Sequence, residues 1–190
     1  VQELFMARTH NYIMFATDKG RVYRLKGYEI PEGSRQARGI NIVNLLQLQP
    51  DEKITNVIPT EEGFEGNVVM VTQKGIIKRT PVEEYKNVRK SGLIAITLDE
   101  GDNLAWTRIT SGSDELIVAT KNGQAIKFSE EDVRLVGRSA RGVNSMKLRS
   151  ADTIIGCDIV PRNYDADLLV VTSDGFDQYI GSRIGVLNHG

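Results

Sequence analysis

Cysteine occurs once and histidine twice, so the chain can build neither an internal disulfide nor a Cys/His metal set. Cys157 lies in the apolar run Ile154 to Val160, which reads as a buried, inert thiol, and a reducing cytoplasm is the expected compartment. His10 and His189 stand apart from any cysteine or carboxylate at ligand spacing, so no metal is expected. The acidic turn Asp99-Glu100-Gly101-Asp102 lacks the length and the terminal glutamate of a calcium loop. No apolar run approaches the roughly 20 residues that cross a bilayer, so no membrane partner is expected. No glycine-rich phosphate loop ends in Lys-Ser or Lys-Thr, so the chain should hold no nucleotide cofactor. The single tryptophan, Trp106, shares a strand face with Leu104 and Arg108, where partial burial is expected rather than base stacking. The opening Val1-Gln2-Glu3-Leu4 is neither a signal peptide nor an initiator methionine, and the expectation is a segment of a longer protein.

What the chain does contain is a repeat. Thr-x-x-Gly occurs at residues 17–20, 72–75, 120–123 and 172–175, each time between strand-like runs, with spacings of 55, 48 and 52 residues. The runs before it are Tyr12 to Ala16, Val68 to Val71, Leu116 to Ala119 and Leu168 to Val171, so each motif predicts a hairpin with glycine at the positive-φ position. A second glycine closes a basic stretch at Gly39, Gly92 and Gly142. It leads into a segment of alternating character, Ile40 to Leu45, Leu93 to Leu98 or Val143 to Leu148, which predicts a third strand. After a polar turn, a fourth strand is predicted at Ile54 to Pro59, Leu104 to Thr110 or Ile154 to Pro161.

Four strands per roughly 50 residues is the pattern of propeller blades, so residues 1–190 are expected to form one all-β, propeller-like domain. Helix is confined to two single turns, after Pro81 and after Ser129, the latter with Ser129 as N-cap. The Gly-His and Trp-Asp pairs of WD40 propellers are missing. The fourth repeat is short: Asp177 to Tyr179 arrives with about seven residues fewer than its counterpart requires, so the set of blades is expected to be incomplete.

Charge follows the same period. Residues 18–39, 74–90 and 121–149 carry net charges of +3, +4 and +4, whereas 40–73, 91–120 and 150–174 carry −4 each, although the whole chain sums to −1. A solubilising surface would intersperse the two signs. Repeated basic zones on equivalent units make a polyanion the first partner to consider.

The run Gly20-Arg21-Val22-Tyr23-Arg24-Leu25-Lys26, continued by Tyr28-Glu29-Ile30-Pro31-Glu32, Ser34-Arg35-Gln36-Ala37-Arg38-Gly39 and Ile42-Val43-Asn44-Leu45-Leu46, resembles the first blade of the DNA gyrase A C-terminal domain. Lys74-Gly75-x-x-Lys78-Arg79-Thr80 and Val133-Arg134-x-x-Gly137-Arg138-x-x-x-Gly142-Val143 are similar to later blades. The first blade favours gyrase over its paralogue, the corresponding domain of topoisomerase IV. The resemblance implies a β-pinwheel, in which neighbouring blades exchange a strand and double-stranded DNA bends around a basic rim. It also implies a non-catalytic part of an ATP-dependent type II topoisomerase that introduces negative supercoils. The rest of gyrase A, together with gyrase B, would then be partners, and ATP and magnesium would bind elsewhere in that assembly. The family's Gln-basic-Arg-Gly-Gly-basic-Gly box is absent. Its nearest echoes are Arg35-Gln36-Ala37-Arg38-Gly39 and Arg138-Ser139-Ala140-Arg141-Gly142, so weaker wrapping is expected.

A rim of this kind binds by releasing counterions from phosphates, without sequence preference. The expected DNA contacts are Arg21, Arg24, Lys26, Arg35 and Arg38 in the first unit. They continue with Lys78, Arg79, Arg89 and Lys90 in the second, and Lys127, Arg134, Arg138 and Arg141 in the third. Two other readings stand beside this one: a propeller that recognises a protein through its acidic stretches, and a propeller hydrolase, for which no triad or metal set recurs.

Overall fold

The computed structural model describes residues 5–34, 36–61, 63–160, 162, 168–171 and 177–180. These form thirteen strands: β1 (Tyr12–Thr17), β2 (Arg21–Lys26), β3 (Ile54–Thr60), β4 (Asn67–Thr72), β5 (Ile76–Pro81), β6 (Leu93–Ile94), β7 (Leu104–Thr110), β8 (Glu115–Thr120), β9 (Ala125–Ser129), β10 (Val143–Asn144), β11 (Ile154–Val160), β12 (Leu168–Val171) and β13 (Asp177–Ile180). The only helical elements among the described residues are short 3-10 turns at Gly27–Glu29, Ile42–Asn44, Val82–Tyr85 and Glu130–Asp132. Ser129 caps the last of these, its side chain accepting from the Glu131 amide.

The three described Thr-x-x-Gly turns are built identically. The glycine amide donates to the threonine carbonyl at 3.0, 3.0 and 3.1 Å for Gly20, Gly75 and Gly123. The threonine hydroxyl accepts from the amide four residues on, that of Arg21, Ile76 or Gln124, at 3.3, 3.0 and 3.2 Å. Each glycine has φ between 71° and 85°, a region costly for any residue with a Cβ. The fourth turn, 172–175, lies outside the described residues.

Strand order within the sheets is β3-β1-β2-β6, then β10-β5-β4-β7, then β11-β8-β9, with β12-β13 as a last hairpin. The first two sheets are therefore each completed by a strand from the following repeat. Ile94 pairs with Arg21, and Val143 pairs with Ile77, which is the strand exchange of a β-pinwheel. The third strands are shorter than the sequence pattern predicts, and their exchange between units is the one that the resemblance implies. Only Leu93–Ile94 and Val143–Asn144 pair, and they pair with the preceding unit. The segment Ile40 to Leu45 is no strand: it carries the 3-10 turn Ile42–Asn44. No unit precedes it among the described residues to offer a partner edge.

The apolar runs are continuous because each inner strand is buried on both faces. In β1, Met14 and Ala16 join Val68, Met70, Ile76 and Leu104 of the next unit, while Ile13 and Phe15 join Tyr23, Leu25 and Leu46 on the other side. In β4, Val69 and Val71 face Leu116, Val118, Ile154 and Cys157 of the third unit, with Trp106 partly buried beside them. The core thus lies between blades. At about 25 cal/mol per Å² of apolar surface removed from water, that burial is the main force stacking one unit on the next.

Candidate nucleic-acid interface

The basic zones cover the hairpins β1–β2, β4–β5 and β8–β9 and the linkers that leave β2, β5 and β9, the last two of which cross back over the preceding unit. The closing glycines explain the crossing. A Cβ on Gly92 would lie 2.7 Å from the Tyr23 ring, and one on Gly142 would lie 2.5 Å from the Ile77 carbonyl oxygen, each at positive φ. Successive linkers touch. Lys90 lies 3.7 Å from Glu29, Arg138 donates to the Ile94 carbonyl at 2.9 Å, and the Thr97 hydroxyl donates to the Ser139 carbonyl at 2.7 Å. The three linkers therefore form one continuous edge.

Along that edge Arg38, Arg89, Lys90, Arg134 and Arg141 are exposed. Arg141 is engaged by Asp99 in a forked ion pair, Nε to Oδ1 at 2.6 Å and Nη2 to Oδ2 at 2.5 Å. The pair holds the Asp99 carboxyl below and the Arg141 guanidinium above their ordinary pKa values, the hydrogen bond between them being the main cause in both. Arg35 lies outside the described residues.

The remaining expected contacts are committed to the protein itself. Arg21 donates to the Ser91 carbonyl at 2.8 Å, across the strand exchange. Arg24 stacks on the Tyr12 ring, 3.2 Å from its centroid, and donates to the carbonyls of Tyr85 and Lys86 in the next unit. Lys26 lies over the same ring and donates to the His10 carbonyl. Lys127 pairs with Glu115 at 2.9 Å, and Arg138 is half-buried under its bond to Ile94.

Two residues need outright correction, because burial leaves their charged groups no path to a phosphate. Lys78 is completely buried, its ammonium donating to the carbonyls of Ala95, Gly137 and Arg138. Burial first, then the nearby Arg138 charge, pulls its pKa down to about 8. Arg79 is buried too. Its Nε donates to the Val133 carbonyl at 2.9 Å and its Nη1 lies 3.5 Å from Glu130. Arg24 and Arg79 occupy equivalent places and reach equivalent carbonyls, Tyr85 and Val133, so this cation staples the first blade to the second and the second to the third.

Sequence reasoning missed the inward role of the acids. Glu52, Asp102 and Asp152, 50 residues apart each time, are buried and tie the polar turn to the unit. Asp102 accepts from the amides of Lys74 and Asn103 at 3.0 and 2.8 Å, and Asp152 from those of Asn122 and Thr153 at 3.1 and 2.9 Å. Glu52 instead accepts from Thr17 and Tyr23 hydroxyls at 2.6 and 2.7 Å. Their constant spacing was the available signal. Glu130 is the other case: completely buried, it accepts from Thr110, Asn67, Gly112 and Asp114, joining the second unit to the third. Lys86 is a further exposed cation, 3.5 Å from Glu83 on the same turn.

A model of the family described as "DNA gyrase C-terminal domain, beta-propeller" matches residues 11–61, 66–111 and 114–161, one match per described blade. The chain belongs to the DNA gyrase C-terminal domain family. It is 56% identical over 144 residues to the DNA gyrase A protein of Clostridium acetobutylicum, covering 75% of this chain and 17% of that one. It is 40% identical over 178 residues to the gyrase A protein of Staphylococcus epidermidis, covering 93% and 20%. The chain thus spans about a fifth of the length of these gyrase proteins. Among solved structures, a C-terminal domain of DNA topoisomerase IV superposes with a TM-score of 0.83 at 29% identity, covering 92% of this chain and 54% of that one. A DNA gyrase A C-terminal domain superposes at 0.74 and 25%, covering 93% and 56%. Both gyrase and topoisomerase IV domains share this fold, and membership of the gyrase family rests on the sequence matches.

Proposed function

We propose that this chain binds double-stranded DNA without sequence preference along its linker edge and bends it there. On this reading it acts as a non-catalytic, cofactor-free part of a cytoplasmic gyrase. The rest of gyrase A, together with gyrase B, would supply ATP-driven strand passage and negative supercoiling. The observation that carries the reading is the recurrence of exposed cations, Arg38, then Arg89 and Lys90, then Arg134 and Arg141, on equivalent linkers that touch one another.

A duplex presents one phosphate charge per roughly 1.7 Å of axis, and each neutralised phosphate releases condensed counterion. Bending 20–30 base pairs by 40–90° costs of order 1–6 kcal/mol, a penalty that only contacts spread along the bend can offset. Cations repeated once per blade supply such contacts. Inward pinning of one acid per acidic stretch, at Glu52, Asp102 and Asp152, keeps part of the negative charge away from the surface.

The test is titration of arbitrary duplexes across a salt series, followed by ligation of relaxed plasmid in the presence of the chain and resolution of the linking number. A steep loss of affinity with salt, equal for unrelated sequences, and a shifted linking number are expected. No complex at low salt, or a flat salt response, overturns the reading.

A further inference from the structure

Two of the exposed cations on the linker edge carry a carboxylate from the unit before. Glu29 of the first unit lies 3.7 Å from Lys90 of the second, and Asp99 of the second unit grips Arg141 of the third through both carboxylate oxygens. The second contact is the tighter. It occupies Nε and Nη2, one of the two edges by which a guanidinium takes a phosphate bidentately, and it cancels the charge that a phosphate would seek. The pair is nonetheless open to water, with side chains 47% and 42% exposed, and pairs at such positions are weak enough to be exchanged. Asp99 does not hold up its own turn by that side chain: the turn closes through the Asp102 amide on the Asp99 carbonyl at 3.1 Å, and through the buried Asp102 carboxylate.

We propose that Asp99 is a built-in competitor for DNA, a carboxylate that occupies Arg141 in the free chain and must be exchanged for a phosphate when a duplex follows the linker edge. The inference rests on the DNA-binding reading and adds a residue that sets how tightly the edge binds. It assigns an acidic side chain of that edge a direct effect on affinity. Asp158, for comparison, pairs with Arg108 at 3.7 Å on β11, away from the linkers.

The experiment measures duplex affinity of the full chain across a salt series for wild type, Asp99→Asn, Asp99→Ser, Arg141→Ala, Asp99→Asn with Arg141→Ala, and Asp158→Asn, with thermal melts of each. Asp99→Asn is expected to bind roughly 3–10-fold more tightly, with the log–log salt slope steeper by about 0.9, the increment of one added phosphate contact. The gain should vanish when Arg141 is also removed, and Asp158→Asn, which changes the net charge equally, should give a much smaller one. Unchanged affinity in both Asp99 variants overturns the proposal. So does weaker binding with an unaltered melt, which would make the carboxylate a support that positions Arg141. Asp99→Ser keeps the question decidable if either substitution alone disturbs folding. Wild-type chain that fails to bind at low salt removes the DNA-binding reading itself, whereas wild-type binding with indifferent Asp99 variants removes this inference alone.

Discussion

The Arg79 guanidinium lies 3.5 Å from the Glu130 carboxylate, an ion pair that passes from the second blade to the third with both partners buried. Removing one partner of such a pair leaves an uncompensated charge in a dry interface. Glu130→Ala should therefore cost about 3–5 kcal/mol, read as a lowered denaturant midpoint. Replacing both residues with apolar groups of similar volume should cost less than either single change.

Lys78 makes stability depend on pH in an unusual direction. Its folded pKa of about 8 lies below its ordinary 10.5, so between those values the unfolded chain binds the extra proton and stability rises with pH. Tyr85 opposes this above pH 10. Burial pushes its hydroxyl up to about 12, so its contribution is complete below pH 10 and is lost as pH climbs toward 12. Denaturant melts from pH 8 to 10 should show the rise, and Lys78→Met should flatten it. A slope unchanged in that variant would mean the ammonium is not the source.

The closing glycine Gly142 should be more demanding than the turn glycine Gly123. Gly142→Ala meets the Ile77 carbonyl at 2.5 Å as well as an unfavourable φ of 102°, whereas Gly123→Ala at φ 79° meets nothing within 4 Å. The second should cost about 1–2 kcal/mol, the left-handed penalty alone, and the first clearly more. Parallel thermal melts of the two variants decide it.

Cys157 should be silent in the native chain. Its thiol is buried, and desolvation pushes its pKa up to about 12, so almost no thiolate is present at neutral pH. Ellman's reagent should label it only as fast as the chain unfolds. Prompt labelling without denaturant would contradict the burial.

Exposed and stapled cations should separate in binding assays. Arg134→Gln should weaken duplex binding modestly, to the same extent for every sequence, and reduce the salt slope by about one contact, with an unaltered melt. Arg24→Gln should instead lower the melting temperature, because its guanidinium bridges Tyr12 to the Tyr85 carbonyl of the neighbouring blade.

The hairpins were legible because Thr-x-x-Gly closes within four residues: the hydroxyl, the carbonyl and the glycine that form the turn are all local. The interblade core was legible for the same reason, since Val68 to Val71 is apolar without alternation and so must be covered on both faces. Strand exchange came only with the family resemblance and not from the strand pattern, because Leu93–Ile94 looks the same whether it pairs within its own repeat or with Arg21 and Val22 of the preceding one. Nor could charge alone tell Arg79 from Arg134. The difference is position: Arg79 lies within a strand between buried neighbours, where carbonyls of the next blade can hold it, and Arg134 lies on a linker.

Because β6 and β10 belong by sequence to one repeat and by hydrogen bonding to another, the unit that is inherited and the unit that folds are offset in phase. A duplication or loss of one whole period, begun at any point along the chain, rejoins every sheet with an equivalent strand. Half a period leaves a sheet with a mismatched edge, so such arrays can lengthen or shorten in genomes only by complete steps.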